Sequence, residues 1–214
     1  LIGILAYGSL TADPGAEISA ATQRILDDLL TPFAVEYARS SQGRAGAPTL
    51  VPVEPGQGGQ VKARVYLLKP ELSGQQAQDI LYRRERNRVG EPFPYSPPRR
   101  VNVNTVLVES LAGFAGVDLV FYTRLGANLP EVLDPDLPPG DKAHLLARRS
   151  AASLTHETWA QKRDGIQYLL DNLAAGIETP LSHPYAAALL DLAGGAPDLA
   201  EARRRIARQK GIIP

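Results

Sequence analysis

Leu1-Ile2-Gly3-Ile4-Leu5-Ala6-Tyr7-Gly8-Ser9-Leu10 opens the chain. A short apolar run ends in Tyr-Gly-Ser-Leu, and turn-forming residues follow it. The pattern predicts a buried strand over Ile2 to Tyr7 that leads into a loop with backbone free to hold a ligand. A glycine directly after a buried strand lets the main chain turn sharply and lets a ligand approach closely. Successive N–H groups in such a loop bind a carboxylate or an oxyanion. Read alone, the same residues suit a tight turn with a serine cap better than a binding loop. Gly8 is followed by neither a Gly-rich fingerprint nor a Lys-Ser/Thr pair, so dinucleotide and P-loop phosphate binding do not fit. Ser9 is not set in Gly-x-Ser-x-Gly, so a hydrolase elbow does not fit either.

Further strands are expected after this opening. Phe33-Ala34-Val35-Glu36-Tyr37-Ala38 alternates, Leu50-Val51-Pro52-Val53 reads as a short edge strand, and Val61 to Leu68 places Val61, Ala63, Val65 and Leu67 on one face. Val101 to Leu111 alternates strongly. Val117 to Thr123 is nearly all apolar and reads as central. Ala16 to Leu30 carries a helical spacing of apolar residues. Pro70 to Arg88 does so more clearly, with Pro70 suited to the first turn. Near residue 137 the composition changes, and Ala, Leu, Arg and Gln dominate beyond it. The expected organisation is a β-rich part over residues 1–137 and a helical part over 138–214. Asp141 is the expected cap of the first of those helices, and Gly176 a helix stop.

The bulk numbers narrow the function. The chain has 214 residues, with 44% hydrophobic and 21% charged, enough to bury a full core. Lys+Arg and Asp+Glu both number 23, which argues against nucleic acid as the main partner. There are no cysteines, so disulfides, thiolate catalysis and Cys-ligated metals are excluded. No run is long enough for a membrane span, and Leu1 to Leu5 lacks the flanks of a signal peptide. A cytoplasmic protein with no membrane partner is the expectation. The three histidines, His144, His156 and His183, show no metal-ligand spacing; His156-Glu157 is only a fragment of one. Arg203-Arg204-Arg205 with Arg208 reads as a solvated helix face.

Leu81-Tyr82-Arg83-Arg84-Glu85-Arg86-Asn87-Arg88 is the second stretch with chemical content. It closes the expected helix. As a surface it would be a set of weak Glu–Arg pairs. As part of a pocket it would present Glu85 as a general base and then acid, with burial raising its pKa and the arginines lowering it.

Taken in order, these segments resemble the γ-glutamylcyclotransferase-like superfamily. Ala6-Tyr7-Gly8-Ser9-Leu10 looks like the opening of that fold. Tyr82-Arg83-Arg84-Glu85 is similar to the catalytic glutamate segment, especially that of the glutathione-specific ChaC branch. Between them, Ser40 to Pro48 resembles the family's Gly/Ser/Arg-rich loop, and Gly59 to Tyr66 the strand leading to the glutamate helix. Phe121 to Asn128 is like the strand and turn that follow. The resemblance covers about residues 1–130. It implies an α+β fold with a mixed, β-barrel-like core, surrounding helices and a helical C-terminal part. It implies release of 5-oxoproline from a γ-glutamyl amide or peptide, without cofactor or metal. Glu85 would move the proton, the backbone of Tyr7, Gly8, Ser9 and Leu10 would hold the glutamyl end, and Tyr122 and Tyr95 would assist. Leu10 and Thr11 stand where many members carry Asn, the segment Ala12 to Leu30 is long, and the arginines around Glu85 are unusually many. The chain therefore leaves the leaving amine open. A non-catalytic small-molecule-binding or regulatory module of the same fold is the alternative.

Overall fold

The computed structural model describes residues 1–214. In chain order the elements begin with β1 (Ile2–Ala6), α1 (Ser9–Ala12), α2 (Ala16–Ala21), β2 (Thr22–Leu30), β3 (Ala34–Ser41), β4 (Ala47–Val53) and β5 (Lys62–Leu68). Then come α3 (Gly74–Glu85), β6 (Leu107–Ala112), β7 (Leu119–Arg124), α4 (Pro130–Leu133) and α5 (Pro139–Ser153). The chain ends with α6 (His156–Gln161), α7 (Gly165–Ala174), α8 (Ser182–Leu192) and α9 (Leu199–Gln209). This is an α+β fold with a mixed sheet. The strands pair as a five-stranded sheet and a separate two-stranded hairpin, and a closed circuit is not among these pairings. No helix is long and apolar enough to cross a membrane.

Two compact units form, and neither is continuous in sequence. One comprises Leu1–Pro32 with Val61–Gly126, the other Phe33–Gln60 with Ala127–Pro214. The composition change near residue 137 falls inside the second unit. The β3–β4 hairpin, though β-rich, groups with the later helices.

The first unit holds the five-stranded sheet in the order β2-β5-β1-β7-β6. β1 runs antiparallel to β5 and parallel to β7. Ile4, Ala6, Tyr66, Leu68, Val108 and Phe121 turn one sheet face into a core. Ala77, Ile80 and Leu81 of α3 fill that core, spaced three and four apart so that one helix stripe meets the sheet. Ser73 starts α3 by a reciprocal cap with Gln76. Pro70 lies before this cap, in a turn, and not in the first helical turn as expected.

Two expectations fail in this unit for one reason. The predicted helix over Ala16 to Leu30 stops at Ala21, and Thr22–Leu30 becomes the edge strand β2. Its backbone pairs with β5 from Thr22↔Leu68 to Leu30↔Lys62, with two bulges. Arg64 and Lys62 of β5 pair with Asp27 and Asp28 at 3.0 Å each. Cross-strand bonding thus overrides the apolar spacing. Conversely, the alternation of Val101 to Leu111 yields a strand only from Leu107. Val101 and Val103 are exposed, at 62% and 46%, so alternation without a partner strand builds nothing.

The second unit packs the β3–β4 hairpin with α4 to α9. Tyr37, Tyr168 and Tyr185 meet edge-to-face at its centre, with ring centroids 6.3 Å and 5.3 Å from Tyr37. α5 begins after Pro138, and Asp141 sits in its first turn instead of capping it. α7 ends as expected, with Gly176 at φ 72°. Arg203 departs from the expected solvated face. It is buried, pairs with Asp164 at 2.8 Å and lies 3.9 Å over the Trp159 ring. Arg204 and Arg205 do remain outside, on Glu201.

Candidate active site

The direction of α3 decides where its last residue stands. A β-carbon added at Gly74, at the start of α3, would lie 3.5 Å from Phe121 and 3.9 Å from Leu119. Those residues pair with the beginning and middle of β1. The twelve residues of α3 rise about 18 Å, close to the length of the strand beneath. The helix therefore finishes at the end of the sheet where β1 runs out into Tyr7 and Gly8.

At that end, Gly8 has φ 59° and ψ −140°, a conformation open in practice only to glycine. It turns the chain from β1 into the single helical turn α1. Thr11 closes the turn by donating its N–H and its hydroxyl to the Gly8 carbonyl, at 3.1 and 2.7 Å. Tyr7 donates its hydroxyl to the Thr123 carbonyl at 3.0 Å and so ties the ends of β1 and β7. Leu10 is part of the core. Its side chain is unavailable to a ligand, so only its backbone remains for that role. From β5, the Tyr66 hydroxyl donates to the carbonyls of Leu10 and Thr11, and Arg64 donates to Thr11 at 3.1 Å. The turn is thus braced from beneath by the sheet.

Glu85 lies on the stripe of Ala77 and Leu81, four residues past the latter, so it points to the sheet side of α3. Its side chain keeps 18% of its surface exposed. Burial pushes its carboxyl above the ordinary range, and the Arg84 guanidinium pulls the other way. Arg84 donates to Glu85 Oε1 at 3.3 Å and to the Asp13 carbonyl at 2.6 and 3.1 Å. The Asp13 N–H in turn donates to the Ser9 carbonyl at 3.0 Å. A continuous hydrogen-bonded chain therefore runs from Glu85 through Arg84 and Asp13 to the Tyr-Gly-Ser turn. Arg83 clamps the same helix end to α2 through both carboxylate oxygens of Glu17.

The two remaining tyrosines are placed differently. Tyr95 is buried beside Tyr82, with its hydroxyl shared by the N–H and carbonyl of Val108 at 3.2 and 3.5 Å. Its hydroxyl is occupied in holding the strap after α3 against β6. Tyr122 follows Phe121 on β7 and therefore faces away from α3. It donates to Glu109 at 2.5 Å, and burial together with Glu109 holds its phenol well above the ordinary range. Glu85 is linked to the Tyr7–Leu10 turn through Arg84 and Asp13 at one end of the sheet; Tyr122 lies on the opposite face and Tyr95 within the core.

Sequence reading passed over a second buried carboxylate. Glu36, on β3 of the second unit, is 1% exposed. It accepts from the Tyr37 N–H at 2.9 Å, the Thr179 hydroxyl at 2.6 Å and the Leu181 N–H at 3.3 Å. Burial outweighs these donors and raises its pKa to about 7. The available signal was its position inside a run, Ala34 to Ala38, that is apolar on both faces of the strand.

All three histidines are exposed, and no group of three or more His, Asp or Glu side chains is arranged to hold a metal ion. No family model matches the chain, and no curated protein matches its sequence.

Proposed function

We propose that the chain is a γ-glutamylcyclotransferase-like enzyme that releases 5-oxoproline from a γ-glutamyl amide or peptide. The observation that carries this reading is the tether from Glu85 to the Tyr7–Leu10 turn. A half-buried carboxylate with a raised pKa stands at the end of the sheet where a glycine-dependent turn leads from β1 into α1. The finer fold assignment, a barrel-like core of that superfamily, belongs to the same proposal.

The chemistry asks little of the protein. The substrate's α-amine, in its neutral form, attacks the γ-carbonyl carbon and forms the C–N bond of the five-membered ring. Ionised Glu85 takes one of the two protons of the attacking nitrogen. The former amide C–N bond then breaks, and Glu85 returns its proton to the leaving nitrogen. Water is neither consumed nor released. Closing a ring within one bound molecule gains chiefly from positioning, so a rigid turn and one acid/base group suffice. The Ser9 and Leu10 N–H groups precede the first main-chain bond of α1, from Thr11 N–H to the Gly8 carbonyl, and suit the glutamyl carboxylate or the developing oxyanion.

The test is a mass-spectrometric screen of γ-glutamyl peptides and amines with wild type and Glu85→Gln. Wild type should release 5-oxoproline, and the variant should lose about 100-fold or more of that activity while keeping its melting temperature. Full activity in Glu85→Gln would sink the mechanism. Ligand-dependent stabilisation of wild type without turnover on any compound would favour the binding-module alternative.

A further inference from the structure

Adjacent residues on a helix point about 100° apart and do not normally meet. Arg84 and Glu85 meet nonetheless, because the guanidinium is held from outside the helix. Nε and Nη2 of Arg84 both point at one acceptor, the Asp13 carbonyl, at 3.1 and 2.6 Å. This fork fixes the guanidinium plane and leaves Nη1 to reach Glu85 Oε1 at 3.3 Å. The stem is accommodated by Gly15, which has φ +80° and where an added β-carbon would come within 3.3 Å of Arg84 Cγ. Only 17% of the Arg84 side chain is exposed. The Asp13 carboxylate, 3.9 Å from Nη2 and 83% exposed, adds little.

We propose that Arg84 is the positioning residue of this site, joining the Glu85 carboxylate to the main chain behind the Tyr7–Leu10 turn so that the two halves keep one register. This inference rests on Glu85 being the acid/base of the proposed reaction, and it deepens that reading by naming what governs the base. A change in the turn moves the Asp13 carbonyl, the carbonyl moves the guanidinium, and the guanidinium sets how readily Glu85 ionises. Other polar groups at this end include Tyr7, bound to the Thr123 carbonyl, Arg64 and Tyr66 of β5, bound to the α1 carbonyls, and Asp27 of β2, paired with Arg64. On α3 itself, Arg83 is neutralised by Glu17. Arg84 is the cation in contact with Glu85.

Two variants separate charge from fork. Arg84→Met keeps the stem and removes both. Arg84→Lys keeps a positive charge and loses the planar fork. Glu85 is followed by carboxyl-carbon NMR, its signal identified by its loss in Glu85→Gln, alongside the pH profile of 5-oxoproline release. In Arg84→Met the Glu85 titration should move to higher pH, and kcat/KM at pH 6 should fall about tenfold, with partial recovery at alkaline pH. In Arg84→Lys the titration should stay near that of wild type, while kcat falls at its plateau with KM little changed. An unmoved Glu85 titration in a folded Arg84→Met, or wild-type kcat in Arg84→Lys, overturns the proposal. If Arg84→Met does not fold, Arg84→Lys decides alone. If wild type turns over no γ-glutamyl compound, the functional reading fails by itself, and the NMR titration still decides whether Arg84 governs Glu85.

Discussion

Glu36 and Glu85 are both glutamates whose pKa values are raised by burial, yet their surroundings point to opposite uses. Glu36 has both carboxylate oxygens engaged, by two main-chain N–H groups and a hydroxyl, and is 1% exposed. It links β3 to the Thr179–Leu181 segment that enters α8. Glu85 engages Oε1 alone, with a neighbouring guanidinium, and stays partly open to solvent. A carboxylate saturated by its own fold has no capacity left for a substrate. One held at its edge by a single tethered cation can take a proton and give it back. A raised pKa alone does not separate a structural acid from a chemical one; the count of donors and the access do.

The largest expected effect falls on the structural partner. Glu36→Ala removes the acceptor of Tyr37 N–H, Leu181 N–H and the Thr179 hydroxyl and opens a void between them. Loss of such a buried network costs about 3 to 5 kcal/mol, a large share of a domain's stability. Chemical denaturation of wild type and variant measures it. A loss below about 1 kcal/mol would mean that the network contributes little.

The next effect is the pH dependence of that stability. Glu36 has an ordinary value of 4.5 and a folded value of about 7. The folded form binds the proton more tightly, so this contribution is fully present below pH 4.5 and is lost as pH rises through about 7. The size is about 3 kcal/mol across that window. Glu36→Gln, which cannot titrate, should flatten the slope of unfolding free energy between those limits. An unchanged slope in the variant would assign the pH dependence elsewhere. Glu85 acts in the same direction on stability, and under the proposed reaction its distinguishing readout would be the acid limb of turnover.

How much of this was legible in the sequence depends on whether local pattern or distant pairing decides. The opening strand and the helix carrying Glu85 follow from apolar spacing within each segment. β2 did not, because its strand state is imposed by β5, some forty residues away, and by Asp–Arg and Asp–Lys pairs across the two strands. Val101 to Val106 failed the other way, with a pattern and no partner. At the candidate site, Glu85 and the Tyr-Gly-Ser turn are singled out by the family resemblance of their order along the chain. Sequence could not reveal that Leu10 spends its side chain in the core, or that the Tyr95 hydroxyl is taken by Val108. Side-chain partners are set by which face a residue occupies, and that is fixed by packing. Arg84 stood next to Glu85 in plain view, but its grip on the Asp13 carbonyl depends on a contact 71 residues away in sequence.

The smallest effect sharpens the contrast from the side of the turn to which Arg84 tethers Glu85. Gly8 sits at φ 59° and ψ −140°, where a β-carbon is strained, so Gly8→Ala should cost about 1 to 3 kcal/mol if the turn keeps its shape. Gly113 also has positive φ, at 69°, but with ψ 13° it lies in the left-handed helical region that Asn tolerates. Gly113→Asn should therefore cost little and serves as the control. If the turn instead relaxes to relieve the strain, Gly8→Ala will lose less stability. The carbonyl and amide positions of Ser9 to Asp13 will then shift, and with them the Arg84 anchor. Activity should fall by more than the stability loss accounts for, and the Glu85 titration should move with it. A Gly8→Ala protein with wild-type turnover and an unshifted Glu85 would show that the turn and the carboxylate are independent, which is the relation that the comparison with Glu36 denies.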